Sequence, residues 1–400
     1  MIFQKIEMKK QIIQKLEQIL TIVIEKDIVS HNFLGGDLGA LLFIYHYYLY
    51  SKNKELIFII QNKLLKLIES EIDSNFSFCS GLAGFSWLIN YLKKGGLIDG
   101  SINSFLKETD SYLNISMKHF IKDGNYDYLH GAGGIAWYFL YRIPNNNSTK
   151  NLKEFIDELY FLHKKDDGNG IKWESILDIK SGKKGYNISL SHGMASIIVI
   201  LSKLYQKKIE TEKTFKLLQG AVNYLLQQKL CSNKYISIYP NFAIESIKKL
   251  HSSRLAWCYG DLGIGISLWH AFQATNNILW KNEALETLLH SAKRKDLNEN
   301  MLKDAGLCHG TSGIAHIFNR MYYNTKILEF KKAGDYWVSQ TLKMAKFDDG
   351  YAGFKAWRTK ESGGSQPQIG ILEGISGIGL SLLSSIYKNR LEWDECLLLS

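Results

Sequence analysis

Four hundred residues can bury a large core, and with three prolines and no Pro-, Gly- or Ser-rich break the chain reads as one domain over residues 1–400. The net charge of +10 is spread along amphipathic segments, which describes a solvated helical face or a weak attraction to acidic peptides or anionic membranes; none of the named nucleic-acid-binding motifs occurs. Five cysteines, an odd number, fit a reducing compartment better than a disulfide framework.

In chain order, the N-terminal run M-I-F-Q-K-I-E-M-K-K-Q-I-I-Q-K-L is charged and helical in period, without the unbroken apolar core of a signal peptide. The most apolar run, Leu41–Tyr50, is too short and too rich in Tyr and His to cross a bilayer. The expectation is a cytoplasmic protein with no transmembrane segment. From Gly36 onward one pattern recurs: a glycine, two residues, a second small residue, then an apolar run. It starts at Gly36, Gly81, Gly131, Gly193, Gly260, Gly310 and Gly374. Seven copies at such spacings mark a repeated supersecondary unit. Each run reads as a buried helix whose small residues allow close approach.

Between the runs lie amphipathic segments, among them Lys54–Ile72, Ser101–Ile121, Leu152–His163, Glu212–Leu230 and Asn282–Leu297, with apolar residues at three- and four-residue steps. Alternating buried and half-buried helices predict an all-α protein. Its expected form is an α/α toroid of seven inner and seven outer helices; a linear solenoid is the rival arrangement. Three insertions, Asp166–Leu190, Ser232–Leu250 and Phe347–Ile369, read as loops or small hairpins over one rim.

The chemistry-bearing residues sit just before the buried helices. W-C-Y-G-D at 257–261 and C-H-G-T at 308–311 place Cys258, Cys308 and His309 at equivalent points of the repeat. Two thiolates and an imidazole suit zinc, and three protein ligands leave a position open for catalysis. Cysteines that simply pack remain the other reading, since Cys79 precedes Gly81 as Cys258 precedes Gly260. Cys231 and Cys396 read as structural. His192, in S-H-G, occupies the slot of His309 and suits proton transfer, although His130 shares that slot. Asp127, in Y-D-Y-L-H-G, is a helix cap or the partner of a histidine across the rim. Arg254 stabilises an oxyanion or holds a loop. Trp257 and Tyr259 flank Cys258 as wall.

Taken together, the seven repeats, S-H-G at 191–193, R-L-A-W-C-Y-G at 254–260 and C-H-G at 308–310 resemble the lanthipeptide cyclases, the LanC and LanC-like proteins. The resemblance covers nearly the whole chain. It implies an α/α toroid with one zinc held by Cys258, Cys308 and His309, and His192 and Asp127 as the acid/base pair. Arg254, Trp257 and Tyr259 fall on active-site positions of the family. The implied reaction adds substrate cysteine thiolates to dehydroalanine or dehydrobutyrine, closing lanthionine or methyllanthionine rings in a ribosomally made peptide. The implied partners are a dehydrated precursor peptide with its leader, and a dehydratase and an ABC exporter in a synthetase complex with peripheral membrane association. The alternative is a zinc protein that binds a thiol such as glutathione, or a modified peptide, or scaffolds the complex without cyclising. A toroid glycosidase would need paired carboxylates, and Asp166–Asp167 and Asp348–Asp349 both stand in D-D-G turns. Two departures from the family pattern, Leu262 in place of Pro and Ser196 in place of Gly, bear on loop shape.

Overall fold

The computed structural model of the chain describes all residues except 1, 70–74, 179–181, 232–233, 244–250 and 388–389. Among the described residues, fourteen α-helices alternate between two kinds. The buried kind follows the repeat glycines: α2 (Gly39–Ser51), α4 (Leu82–Lys94), α6 (Ala132–Arg142), α8 (Met194–Gln206), α10 (Asp261–Thr275), α12 (Thr311–Thr325) and α14 (Ile375–Ile386). The amphipathic kind precedes each of them: α1 (Ile2–Glu25), α3 (Glu55–Ile68), α5 (Asn103–Lys122), α7 (Asn146–Leu162), α9 (Thr211–Gln227), α11 (Ile278–Lys293) and α13 (Leu328–Lys343). In α13, which the motifs did not single out, Phe330, Ala333, Gly334, Trp337, Val338 and Thr341 make the buried stripe. That is the three- and four-residue step of a helix with one face in the core.

The helices gather into two compact units. One holds α1–α4 and α12–α14. There α12 packs on α13 and α14, and α14 packs on α1 and α2. The other holds α5–α11, with α8 against α10, α9 and α6, and each buried helix against the amphipathic helix that follows it. This second unit also carries the short strands. β1 (Lys164–Lys165) pairs antiparallel with β2 (Ile171–Lys172). β3 (Ser175–Asp178), β4 (Lys183–Asn187) and β5 (Phe242–Ala243) form an antiparallel sheet in that order. The insertions at 166–190 and 232–250 are therefore partly strand, and residues 179–181, 232–233 and 244–250 of them lie outside the described residues. The third insertion, 347–369, contains two isolated antiparallel bridges, Tyr351 with Phe354 and Ala356 with Gln366.

A shared loop leads into four of the buried helices, α4, α6, α12 and α14. The amide of the first helical residue folds back to a carbonyl seven residues earlier: Leu82 to Asn75, Ala132 to Asn125, Thr311 to Asp304, and Ile375 to Gln368. The loop before α8 doubles back so tightly that a Cβ on Gly193 would lie 2.1 Å from the Asn187 carbonyl oxygen. Gly260 adds a second requirement, a φ of +92°, which side chains rarely adopt.

Candidate active site

Asp127 lies in the loop from α5 to α6. Its own amide is drawn in by Asn125 Oδ1, and its Oδ1 accepts the His130 amide at 2.8 Å. The helix cap is Gly131, so Asp127 shapes the loop and does not cap α6. Its second oxygen, Oδ2, accepts from His192 Nδ1 at 2.6 Å. One carboxylate thus holds its loop with one oxygen and an imidazole with the other. A carboxylate on Nδ1 fixes the tautomer and leaves Nε2 as the exchanging nitrogen.

Burial alone would push the His192 imidazole pKa down. The Asp127 hydrogen bond and charge, helped by Cys258, outweigh it, and the net movement is upward. The ring stacks on His130, centroids 5.8 Å apart and planes 20° apart, with the Tyr259 ring 6.0 Å away. Burial, by contrast, moves the His130 pKa down, and His192 adds to it while Asp127 opposes. These side chains border a cleft of about 590 Å³ whose opposite wall is the β3–β4 hairpin, with Ser175, Ile176 and Lys184.

Cys258 is tied to this group through the backbone. Its carbonyl accepts from the Leu190 amide at 3.2 Å, the Ser191 amide at 3.3 Å and the Ser191 hydroxyl at 3.2 Å. The W-C-Y-G and S-H-G strings are therefore stitched side by side. Trp257 is fully buried, with its carbonyl oxygen against Gly263. Arg254 is half-buried, and among the described residues its guanidinium makes no ion pair. Both departures from the family pattern are absorbed locally. Leu262 is buried in the first turn of α10, and the Ser196 hydroxyl donates to the Gly193 carbonyl at 2.7 Å.

Cys308 and His309 lie in the loop before α12. The Cys308 amide donates to the Leu372 carbonyl at 2.7 Å. Asp304 Oδ1 accepts the Gly306 amide at 3.0 Å, and its Oδ2 accepts the Trp357 amide at 2.8 Å while standing 3.9 Å from His309 Nε2. The Arg358 guanidinium is bidentate on Glu373, which raises its pKa against burial, and it also feels the charges of Asp304 and Cys308. Sequence reasoning missed Asp304, Arg358 and Glu373. A signal for Asp304 existed: it stands six residues before Gly310, as Asn75, Asn125 and Asn187 stand before Gly81, Gly131 and Gly193.

Among the described residues, Cys258, Cys308 and His309 each offer one ligand atom of the kind that could hold a metal ion. Two sulfurs and one imidazole nitrogen are the soft donors that zinc takes. None of the five cysteines is in a disulfide. Cys79 and Cys396 are buried, and burial pushes the Cys396 thiol pKa well up; Cys231 is exposed, so packing does not account for it.

A helical fold of this repeat with a Cys/His group defines a class, and the comparisons agree on which. The chain matches the LANC_like family, described as lanthionine synthetase C-like protein, over residues 35–398, and belongs to it. The nisin biosynthesis protein NisC of Lactococcus lactis subsp. lactis is 26% identical over 380 residues, spanning 87% of this chain and 85% of that one. The solved structure of nisin cyclase superposes with a TM-score of 0.76 at 21% identity, covering 98% of each chain, and its helical toroid is the fold of this chain. The enzyme class is lanthionine cyclase. No described helix is long and apolar enough to cross a membrane.

Proposed function

We propose that residues 1–400 act as one zinc-dependent peptide cyclase that closes lanthionine and methyllanthionine rings. Its substrate is a ribosomally made precursor already dehydrated at serine or threonine. The family match across residues 35–398 supports reading the chain as one domain. The single observation that carries the mechanism is His192 Nδ1 held at 2.6 Å by Asp127 Oδ2, on a loop stitched to Cys258. Cys258, Cys308 and His309 would hold the zinc. When bound, zinc favours the thiolate form of a substrate cysteine and fixes its position.

The thiolate adds to the β-carbon of the dehydroamino acid, making the C–S bond and leaving an enolate. His192, protonated on both nitrogens and steadied by Asp127, delivers a proton to the α-carbon. The proton lost by the thiol returns the imidazole to its starting state, so mass is unchanged. His192 exchanges protons only while Asp127 keeps Nδ1–H in place. Tyr259 borders the cleft beside His192. Trp257 backs the loop, and Arg254 steadies the enolate or orders the rim. The cytoplasm is the expected compartment. A dehydratase and an exporter fit as neighbours in the pathway.

Incubation with a dehydrated, cysteine-containing peptide followed by thiol alkylation tests this reading. Loss of alkylatable thiol at unchanged mass is the expected result. A peptide whose thiols all remain alkylatable, although it binds, would replace the cyclase by a binding protein.

A further inference from the structure

Helix α12 lies in the core, yet His316, Asn319, Arg320 and Tyr323 follow each other at three- and four-residue steps, so they form one polar stripe along its face. Part of that stripe is consumed by Asp394. His316 Nε2 donates to Asp394 Oδ2 at 2.7 Å, Arg320 Nε donates to the same oxygen at 2.8 Å, and Arg320 Nη2 reaches Asp394 Oδ1 and the Leu391 carbonyl. What remains has no protein partner although it is buried: Arg320 Nη1, Asn319 Nδ2 and His316 Nδ1. Arg320 Nη1 and Asn319 Nδ2 are donors, whereas His316 Nδ1 is the accepting nitrogen of a ring whose Nε2 carries the proton; a buried donor left unmade costs about 1–3 kcal/mol, so the two donors need something to bond.

All three residues line a pocket of about 210 Å³ between α12, the start of α13 and the end of α14. Of its twelve lining residues four are cations, Arg320, Lys326, Lys331 and Arg390, and none is acidic. The carboxylates near these cations are each engaged: Asp394 by Arg320, Asp335 by Lys331, and Glu392 by Arg390 at 3.6 Å. Lys326 is balanced by no carboxylate among the described residues; it lies over the Tyr323 ring at 4.6 Å and the Tyr322 ring at 5.8 Å. Among the described residues the pocket therefore carries one excess positive charge, with two buried donors at its floor.

We propose that this pocket binds a phosphate-type oxyanion, free or esterified. The volume is below that of a site for a drug-sized ligand or a peptide side. A carboxylate is a poorer fit, because Asp394 already occupies the guanidinium edge on which a carboxylate docks bidentately. What is left are single donors from several directions, Arg320 Nη1, Asn319 Nδ2 and Lys326, which suit the several oxygens of a tetrahedral anion. No residue of the cyclase mechanism lines the pocket, so the two proposals fail independently.

Calorimetric titration of the full chain at constant ionic strength tests it, with inorganic phosphate, phenyl phosphate and acetate as probes. Arg320 substitutions would leave Asp394 buried and unpaired and risk unfolding, so the variants are Lys326→Ala and Asn319→Ala, with exposed Lys66→Ala as control. Expected are saturable 1:1 phosphate binding to the wild type and to the control, and about tenfold weaker binding in each pocket variant. Phenyl phosphate binding as well would extend the site to an esterified group. Three outcomes would overturn the proposal: no saturable phosphate binding, which leaves water in the pocket; equal binding by both pocket variants; or acetate binding more tightly than phosphate.

Discussion

Two aspartate–histidine pairs of nearly equal length behave in opposite ways. Asp127 and His192 meet at 2.6 Å with side chains 20% and 28% exposed, and the imidazole pKa is moved up. Asp394 and His316 meet at 2.7 Å with exposures of 0% and 3%, and the imidazole pKa is moved down. Burial is the largest influence on both imidazoles and lowers both. In the first pair the carboxylate wins, because among the described residues no lysine or arginine pairs with it and the cleft admits solvent. In the second, Arg320 takes the carboxylate's charge and its own charge opposes protonation of His316. Asp394 is held far below the usual carboxylate range: burial alone would raise it, and Arg320 with His316 outweighs that. The same two side chains therefore make a proton-exchanging pair in one place and a fixed structural clamp in the other. Hydrogen-bond length does not distinguish them; the third partner and the burial do.

The clamp is where substitution should cost most. Asp394→Asn leaves Arg320 buried without its counter-charge and is expected to lose about 3–5 kcal/mol in urea unfolding at neutral pH. The native pKa of Asp394 is depressed, so its contribution is present above the unfolded value of about 3.9 and is lost as pH falls through the native value. The gap between wild type and variant should accordingly shrink in acid. Asp127→Asn should do the reverse on both counts. Its stability cost is expected to be about 1 kcal/mol or less. Because the His192 pKa is raised, that cost is largest below about pH 6.5 and fades as pH rises through the native value. Its ring-closing rate, measured by alkylation, should fall by about a hundredfold. Equal stability losses for the two variants would erase the distinction. Smallest of all is Glu154→Gln, which breaks a pair with Lys118 whose side chains are 32% and 45% exposed; chemical denaturation should register no more than about 0.5 kcal/mol.

The buried helices were legible because small residues beside long apolar runs have few other uses. The loops before them were legible only in part. Gly193 stands out in the chain, but the Asn187 carbonyl that forbids a side chain there shows only once the loop is folded. Asp127 and His192 are 65 residues apart, and local sequence offered cap and pairing as alternatives; the loop uses one oxygen for itself and one for His192. The clamp was not legible at all. Asp394 sits in L-E-W-D-E-C-L-L-L, which reads as an apolar tail, and its partner His316 is 78 residues away on a helix recognised for its glycines. Short strands such as β1 and β5, two residues each, carry too little periodicity to be assigned from pattern.

The most direct test of the proposed chemistry is zinc content per chain, measured on the wild type, Cys258→Ala, Cys308→Ala and His192→Asn. The expected result is one equivalent in the wild type and in His192→Asn, none in either cysteine variant, and impaired cyclisation by His192→Asn despite its metal. A metal-free wild type that still closes rings, or a Cys258→Ala chain that keeps its zinc, would contradict the assignment of these residues.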